Sequence, residues 1–128
     1  MRVLVADSDP RVRKALNMLL RLESELAIVG ESTDASSLLA QAKELQPDLV
    51  LLDWELPGDS ITTLIEQLRK GERTFKIIVL ARRPEAKEAA MTVGADAFVS
   101  KTNPADSLLE TLRKVFGPQE RDSVTVAI

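Results

Sequence analysis

The chain contains no cysteine and no histidine among its 128 residues. Without cysteine there is no disulfide framework, no thiolate zinc site and no thiol nucleophile; without histidine there is no imidazole base or ligand. Chemistry must therefore rest on carboxylates, lysine, serine or threonine. A basic stripe is also missing. The formal charge is −3, and the 29% of charged residues are mixed along the chain, which counts against direct binding to a nucleic-acid backbone. No apolar run approaches membrane length, and Met1-Arg2-Val3-Leu4 runs into a strand pattern too short for a secretory h-region. The chain is accordingly expected to be cytoplasmic and soluble, with no membrane partner. Low-complexity segments are absent too. The length suits one domain with a single hydrophobic core.

What is present is a regular alternation. Five short apolar runs, Val3–Ala6, Leu26–Val29, Leu49–Leu52, Ile77–Leu80 and Ala97–Val99, read as strands. Between them, apolar residues recur at helical spacing: Val12, Ala15, Leu16, Leu19 and Leu20; Ala35, Leu38, Leu39, Ala42 and Leu45; Ile61, Leu64, Ile65 and Leu68; Ala86, Ala89, Ala90 and Val93. Ala105, Leu108, Leu109, Leu112 and Phe116 complete the series. Five βα units predict a parallel sheet with helices on both faces, because each crossover must return the chain to the same edge. Strand order is not readable from spacing. Asp9 before Pro10 predicts an N-cap and first-turn proline, and Gly117-Pro118 a helix stop. Residues 118–128 belong to no sixth unit and are expected to be a linker stub or an arm that docks elsewhere.

In an open parallel sheet, ligands bind outside the carboxyl ends of the strands. The residues just past the five runs are Asp7-Ser8-Asp9, Gly30-Glu31, Asp53-Trp54-Glu55, Ala81-Arg82-Arg83 and Ser100-Lys101. Carboxylates follow the first and third strands, and a lysine follows the fifth. An acid that closes an apolar strand is costly unless paired or coordinated, which singles out Asp53. Asp9 is better read as a cap. Carboxylates without histidine or cysteine suit Mg²⁺, which prefers oxygen ligands and keeps several waters. A carboxylate can itself accept a phosphoryl group, with Lys101 balancing charge on the phosphoryl oxygens.

The segments "VLVADSDP", "PDLVLLDWELPG" and "GADAFVSKTNPADSLLETLRKV" resemble the receiver domain of two-component response regulators, most closely those joined to a C-terminal helix-turn-helix. The resemblance covers residues 1–117. It implies a flavodoxin-like (βα)5 three-layer α/β sandwich with a five-stranded parallel sheet in the order 2-1-3-4-5. It also implies that Asp53 is the phosphoacceptor, that Asp7, Asp53 and the backbone carbonyl of Glu55 hold Mg²⁺, that Lys101 pairs with the phosphoryl group, and that Phe98 is the switch aromatic. The implied partners are a histidine kinase or phosphotransfer protein, a second copy of the chain, and a C-terminal DNA-binding effector outside this sequence. Beyond Mg²⁺-dependent self-phosphorylation, no enzymatic turnover is implied.

Two positions depart from that family's pattern. Ser8 stands where a second adjacent acid is usual, and Ala81 where a Thr or Ser usually ends the fourth strand. Ser8 removes a charge from the metal site; Ala81 removes the hydroxyl that would bond the phosphoryl group. The alternative function is therefore a degenerate receiver, a phosphorylation-independent interaction module. By the same resemblance Glu55 and Arg83 flank the mouth of the pocket, where their opposite charges would form a gate. A third reading, a phosphohydrolase resembling the haloacid-dehalogenase type, would make Asp7 a nucleophile and Asp9 an acid. Arg11 does not match that pattern.

Overall fold

Along each buried strand successive side chains point to opposite sides of the sheet, so an unbroken apolar run requires cover on both faces. The computed structural model, which describes residues 1–71, 74–101 and 105–116, supplies that cover with two layers of helices. The order is β1 (Arg2–Ala6), α1 (Pro10–Leu20), β2 (Ala27–Ser32), α2 (Ala35–Leu45), β3 (Leu49–Asp53), α3 (Ile61–Arg69), β4 (Lys76–Ala81), α4 (Ala86–Thr92), β5 (Ala97–Ser100) and α5 (Ala105–Phe116). All pairings are parallel, and the sheet runs β2-β1-β3-β4-β5. This is the flavodoxin-like three-layer sandwich, in the order that the resemblance implied.

Alternate strand residues divide the interior into two cores. Leu4, Val50, Leu52, Ile77 and Val79 pack against Leu38 of α2, against Leu64, Ile65 and Leu68 of α3, and against Ala90 of α4. Val3, Val5, Leu49, Leu51, Ile78 and Leu80 pack against Leu16 and Leu20 of α1 and Leu108 and Leu112 of α5. The central β3 is buried throughout, including its terminal Asp53. Each fully buried aliphatic side chain contributes about 1.5–3 kcal/mol, so β3 is held firmly, and the carboxylate at its end is placed with it.

Local signals locate the helix starts. Asp9 caps α1 by accepting the Arg11 N–H, with Pro10 in the first turn; Asp34 caps α2 through the Ser37 N–H. The loop after β3 is pinned onto α2: the Ala35 N–H donates to the Pro57 carbonyl at 2.8 Å. Gly58 sits there at φ +117°, and a β-carbon on it would lie 2.7 Å from that of Ala35, so only glycine fits.

Two expectations need correction. Gly30 and Glu31 lie inside β2, not beyond it: a register shift between Val3 and Leu4 lets β2 continue alongside β1 as far as Ser32. Ala15 and Ala89, read as core positions, are exposed, because the buried stripes of α1 and α4 are narrower than the spacing suggested. Gly117-Pro118 and the segment 118–128 fall outside the described residues.

At the opposite, amino-terminal end of β4 a clamp joins α3, β4 and the α4–β5 loop. Asp96 Oδ2 accepts from Arg69 at 2.6 Å and from the Ile77 N–H at 2.8 Å, while Arg69 also donates to the Gly94 carbonyl at 2.7 Å. Hydrogen bonds to charged groups contribute about 1.5–3 kcal/mol, and losing the acceptor strands the donors. Asp96→Ala is expected to lower the unfolding free energy by about 2–3 kcal/mol. Urea denaturation checks this; a loss well below 1 kcal/mol would mean that water replaces the carboxylate.

Candidate functional site

Because β3 lies between β1 and β4, the residues that leave β1 and β3 emerge side by side at the carboxyl edge. Asp7 follows β1 and is completely buried; Asp53 ends β3 and is 4% exposed. Lys101, just past β5, reaches back across β4. Its Nζ lies 2.8 Å from Asp7 Oδ2 and 2.8 Å from Asp53 Oδ1. One ammonium thus holds two buried carboxylates, which are separated by no more than twice that length.

Backbone bonds orient these groups. The Asp9 N–H donates to Asp7 Oδ1 at 2.9 Å and the Glu55 N–H to Asp53 Oδ1 at 3.0 Å. The Trp54 N–H bonds the Leu80 carbonyl, and the Lys101 N–H bonds the Ala81 carbonyl, so the loops after β3 and β5 are both tied to β4. Burial, the largest single influence, lowers the Lys101 pKa. The hydrogen bonds to Asp53 and Asp7, with their charges, outweigh it and hold the ammonium above the ordinary lysine range. Lys101 is therefore charged throughout the neutral range.

The other residues read from the sequence lie around this centre. Ser8 is exposed, Ala81 is buried at the end of β4, and Phe98 is half-buried on β5 opposite Val79, packed against the first core. Asp9 stays out of the carboxylate pair: its side chain accepts from the Arg11 backbone and guanidinium. Those bonds, the guanidinium first, hold its pKa below the usual carboxylate value. An ionised, engaged Asp9 is poorly suited to be the acid of a phosphohydrolase.

The gate expected between Glu55 and Arg83 is not among the ion pairs formed by the described residues. Both side chains are exposed, and an exposed pair is worth only about 0–1 kcal/mol, too little to impose a geometry. The neighbouring Arg82 instead lies 3.9 Å from Asp9 Oδ2. Arg13 was also missed from the sequence. It donates to the Asp7 carbonyl at 2.8 Å and to Glu31 at 3.0 Å, which links α1 and β2 to the acid. Its only sequence signal is a basic residue one turn past Asp9, which is commonplace on a helix.

The donor set fits one hard cation sparsely. Asp7 and Asp53 supply two oxygen-only side chains at one point, and Mg²⁺ is often held by one or two carboxylates with water and phosphate oxygens completing the shell. No cluster of three or more acids able to hold a metal occurs among the described residues.

A parallel (βα)5 sandwich with two acids and a lysine at its carboxyl edge defines a class, and the comparisons name it. The sequence model of the response regulator receiver domain matches residues 3–113, and the chain belongs to that family: it is a receiver domain of two-component signalling. The response regulator protein VraR of Staphylococcus aureus is 31% identical over 118 residues, which cover 88% of this chain and 55% of that protein. VraR of Staphylococcus saprophyticus is 29% identical over 117 residues, covering 90% and 56%. The chain thus spans little more than half the length of these relatives. Among solved structures, a DNA-binding response regulator of the LuxR family from Staphylococcus aureus superposes with a TM-score of 0.80 at 27% identity, covering 89% of this chain and 97% of that one. The isolated receiver domain of RcsB from Salmonella enterica serovar Typhimurium, solved with the phosphomimetic BeF3⁻, gives 0.80 at 26% identity, covering 88% and 85%.

Proposed function

We propose that this receiver accepts a phosphoryl group on Asp53 from a histidine kinase or phosphotransfer protein and thereby switches a protein-binding face. The observation that carries the proposal is the shared ammonium, Lys101 Nζ at 2.8 Å from both Asp7 and Asp53. Lys101 and the Glu55 N–H both bond Asp53 Oδ1. Among the described residues this leaves Oδ2 as the oxygen to attack phosphorus; its new P–O bond forms as the donor's P–N or P–O bond breaks. Lys101 then follows the charge from the carboxylate to the phosphoryl oxygens. Asp7, Asp53 and the Glu55 carbonyl would hold Mg²⁺, which supplies charge neutralisation at the transferring group. With Ser8 in place of an acid, that affinity is low. The reading includes no turnover of an external substrate. It also takes residues 1–117 as the receiver, 118–128 as a linker toward a DNA-binding effector domain, and the cytoplasm as the compartment. No helix among the described residues is long and apolar enough to cross a membrane.

The test is direct. Intact-mass analysis after incubation with Mg²⁺ and acetyl phosphate should show one added phosphoryl group, and peptide mapping should place it at Asp53. No adduct under any donor concentration, with partner binding intact, would favour the phosphorylation-independent module to which Ser8 and Ala81 point. Self-association belongs to the same proposal, through the α4-β5-α5 face or through α1 and α5. The sedimentation coefficient should rise on phosphorylation; a monomer at all concentrations would remove both surfaces.

A further inference from the structure

Ala81 leaves the end of β4 without a hydroxyl for a phosphoryl group, yet the next residue brings a charge to the same place. Arg82 leaves β4 and Asp9 follows β1, the two strands that flank β3. Their contact, Arg82 Nη2 to Asp9 Oδ2 at 3.9 Å, joins the loops on either side of Asp53. It is long, and the Arg82 side chain is 61% exposed, so a screened attraction of this kind is easily exchanged for a better one. Asp9 gives up little by losing it, because it keeps Arg11 and its helix cap.

Phosphorylation supplies the better partner. An aspartyl phosphate carries roughly two negative charges and several acceptor oxygens, and a guanidinium binds phosphoryl oxygens through two parallel N–H bonds. Lys101 is already shared between Asp7 and Asp53, so even with Mg²⁺ bound the added phosphoryl oxygens gain from a second side-chain donor. We propose that Arg82, stored on Asp9 in the resting protein, moves onto the phosphoryl group of Asp53 and takes the role of the hydroxyl absent at Ala81, drawing the β4–α4 loop over the site. This rests on the reading of Asp53 as acceptor. It assigns Arg82 as a phosphoryl-binding residue and Asp9 as its resting partner.

The test uses beryllofluoride as the phosphoryl mimic at saturating Mg²⁺, followed by fluorescence of Trp54, the sole tryptophan and the residue next to Asp53. Arg82→Ala is expected to weaken beryllofluoride binding about tenfold, the factor that corresponds to about 1.4 kcal/mol, and Lys43→Ala on α2 to leave it unchanged. Asp9→Asn keeps a capping oxygen and removes the competing charge, so it should tighten binding two- to threefold. Adding Ala81→Thr to Arg82→Ala should restore both the affinity and the amide-exchange protection of the β4–α4 loop, which a merely structural role for Arg82 would not do. If wild type binds beryllofluoride and Arg82→Ala binds it equally well, this proposal falls and the acceptor reading stands. If wild type binds none and gains no phosphoryl mass, both fall. Unchanged or weaker binding in Asp9→Asn overturns storage by Asp9.

Discussion

In Lys101→Met the unfolding free energy is expected to fall by about 3–5 kcal/mol, the usual consequence of removing one partner from a buried ion pair. Asp7 and Asp53 are buried, and their shared cation is only 13% exposed. Methionine preserves most of the aliphatic stem, so the loss isolates the charge: two carboxylates face each other with nothing between them. Urea denaturation at neutral pH reads this as a lower midpoint at constant slope. The pH dependence carries a sign. The Lys101 pKa is raised in the folded state above its ordinary value of 10.5. Its contribution is therefore complete below that value and is lost as pH rises through the folded-state pKa. Wild type should show this alkaline loss, and Lys101→Met should lack it. Mg²⁺ should raise the melting temperature of the variant more than that of wild type, since a cation bound only to the folded state stabilises by mass action. A variant as stable as wild type would show that the two carboxylates do not confront each other.

Asp53→Asn is expected to abolish the phosphoryl adduct altogether. The amide keeps the size of the side chain and an oxygen to accept from Lys101 and the Glu55 N–H, so the fold should survive, but it offers no carboxylate oxygen to attack phosphorus. Lys101→Met is a useful contrast. It leaves the nucleophile and removes the charge that stabilises the transferring group, which should slow adduct formation on the order of 10²-fold without abolishing it. Intact mass against time, with acetyl phosphate and Mg²⁺, separates the two. Full labelling of Asp53→Asn would mean that another residue is the acceptor.

Local patterns carried much of this protein. An apolar run closed by an acid announced both β3 and Asp53, because an unpaired carboxylate at a buried strand end is too costly to be incidental. Asp9-Pro10 announced a capped helix, since a cap depends on neighbours two or three residues away. Five βα units announced a parallel sheet, because crossovers leave few alternatives. Strand order, by contrast, came from the resemblance, and the structure bears it out. Two readings failed where contacts cross loops: β2 ran on past Gly30 along β1, and in place of the pair that the resemblance suggested between Glu55 and Arg83, Arg82 lies against Asp9.

The sequence by itself determined the number and order of the elements, the start of α1 and the acid at the end of the central strand, all set by contacts within a few residues. Only the tertiary structure decided that Lys101 meets Asp7 and Asp53, residues 94 and 48 positions away. It likewise decided that Arg82 meets Asp9. Both meetings depend on which strands lie side by side and on where long, flexible side chains come to rest, and no periodicity along the chain records either.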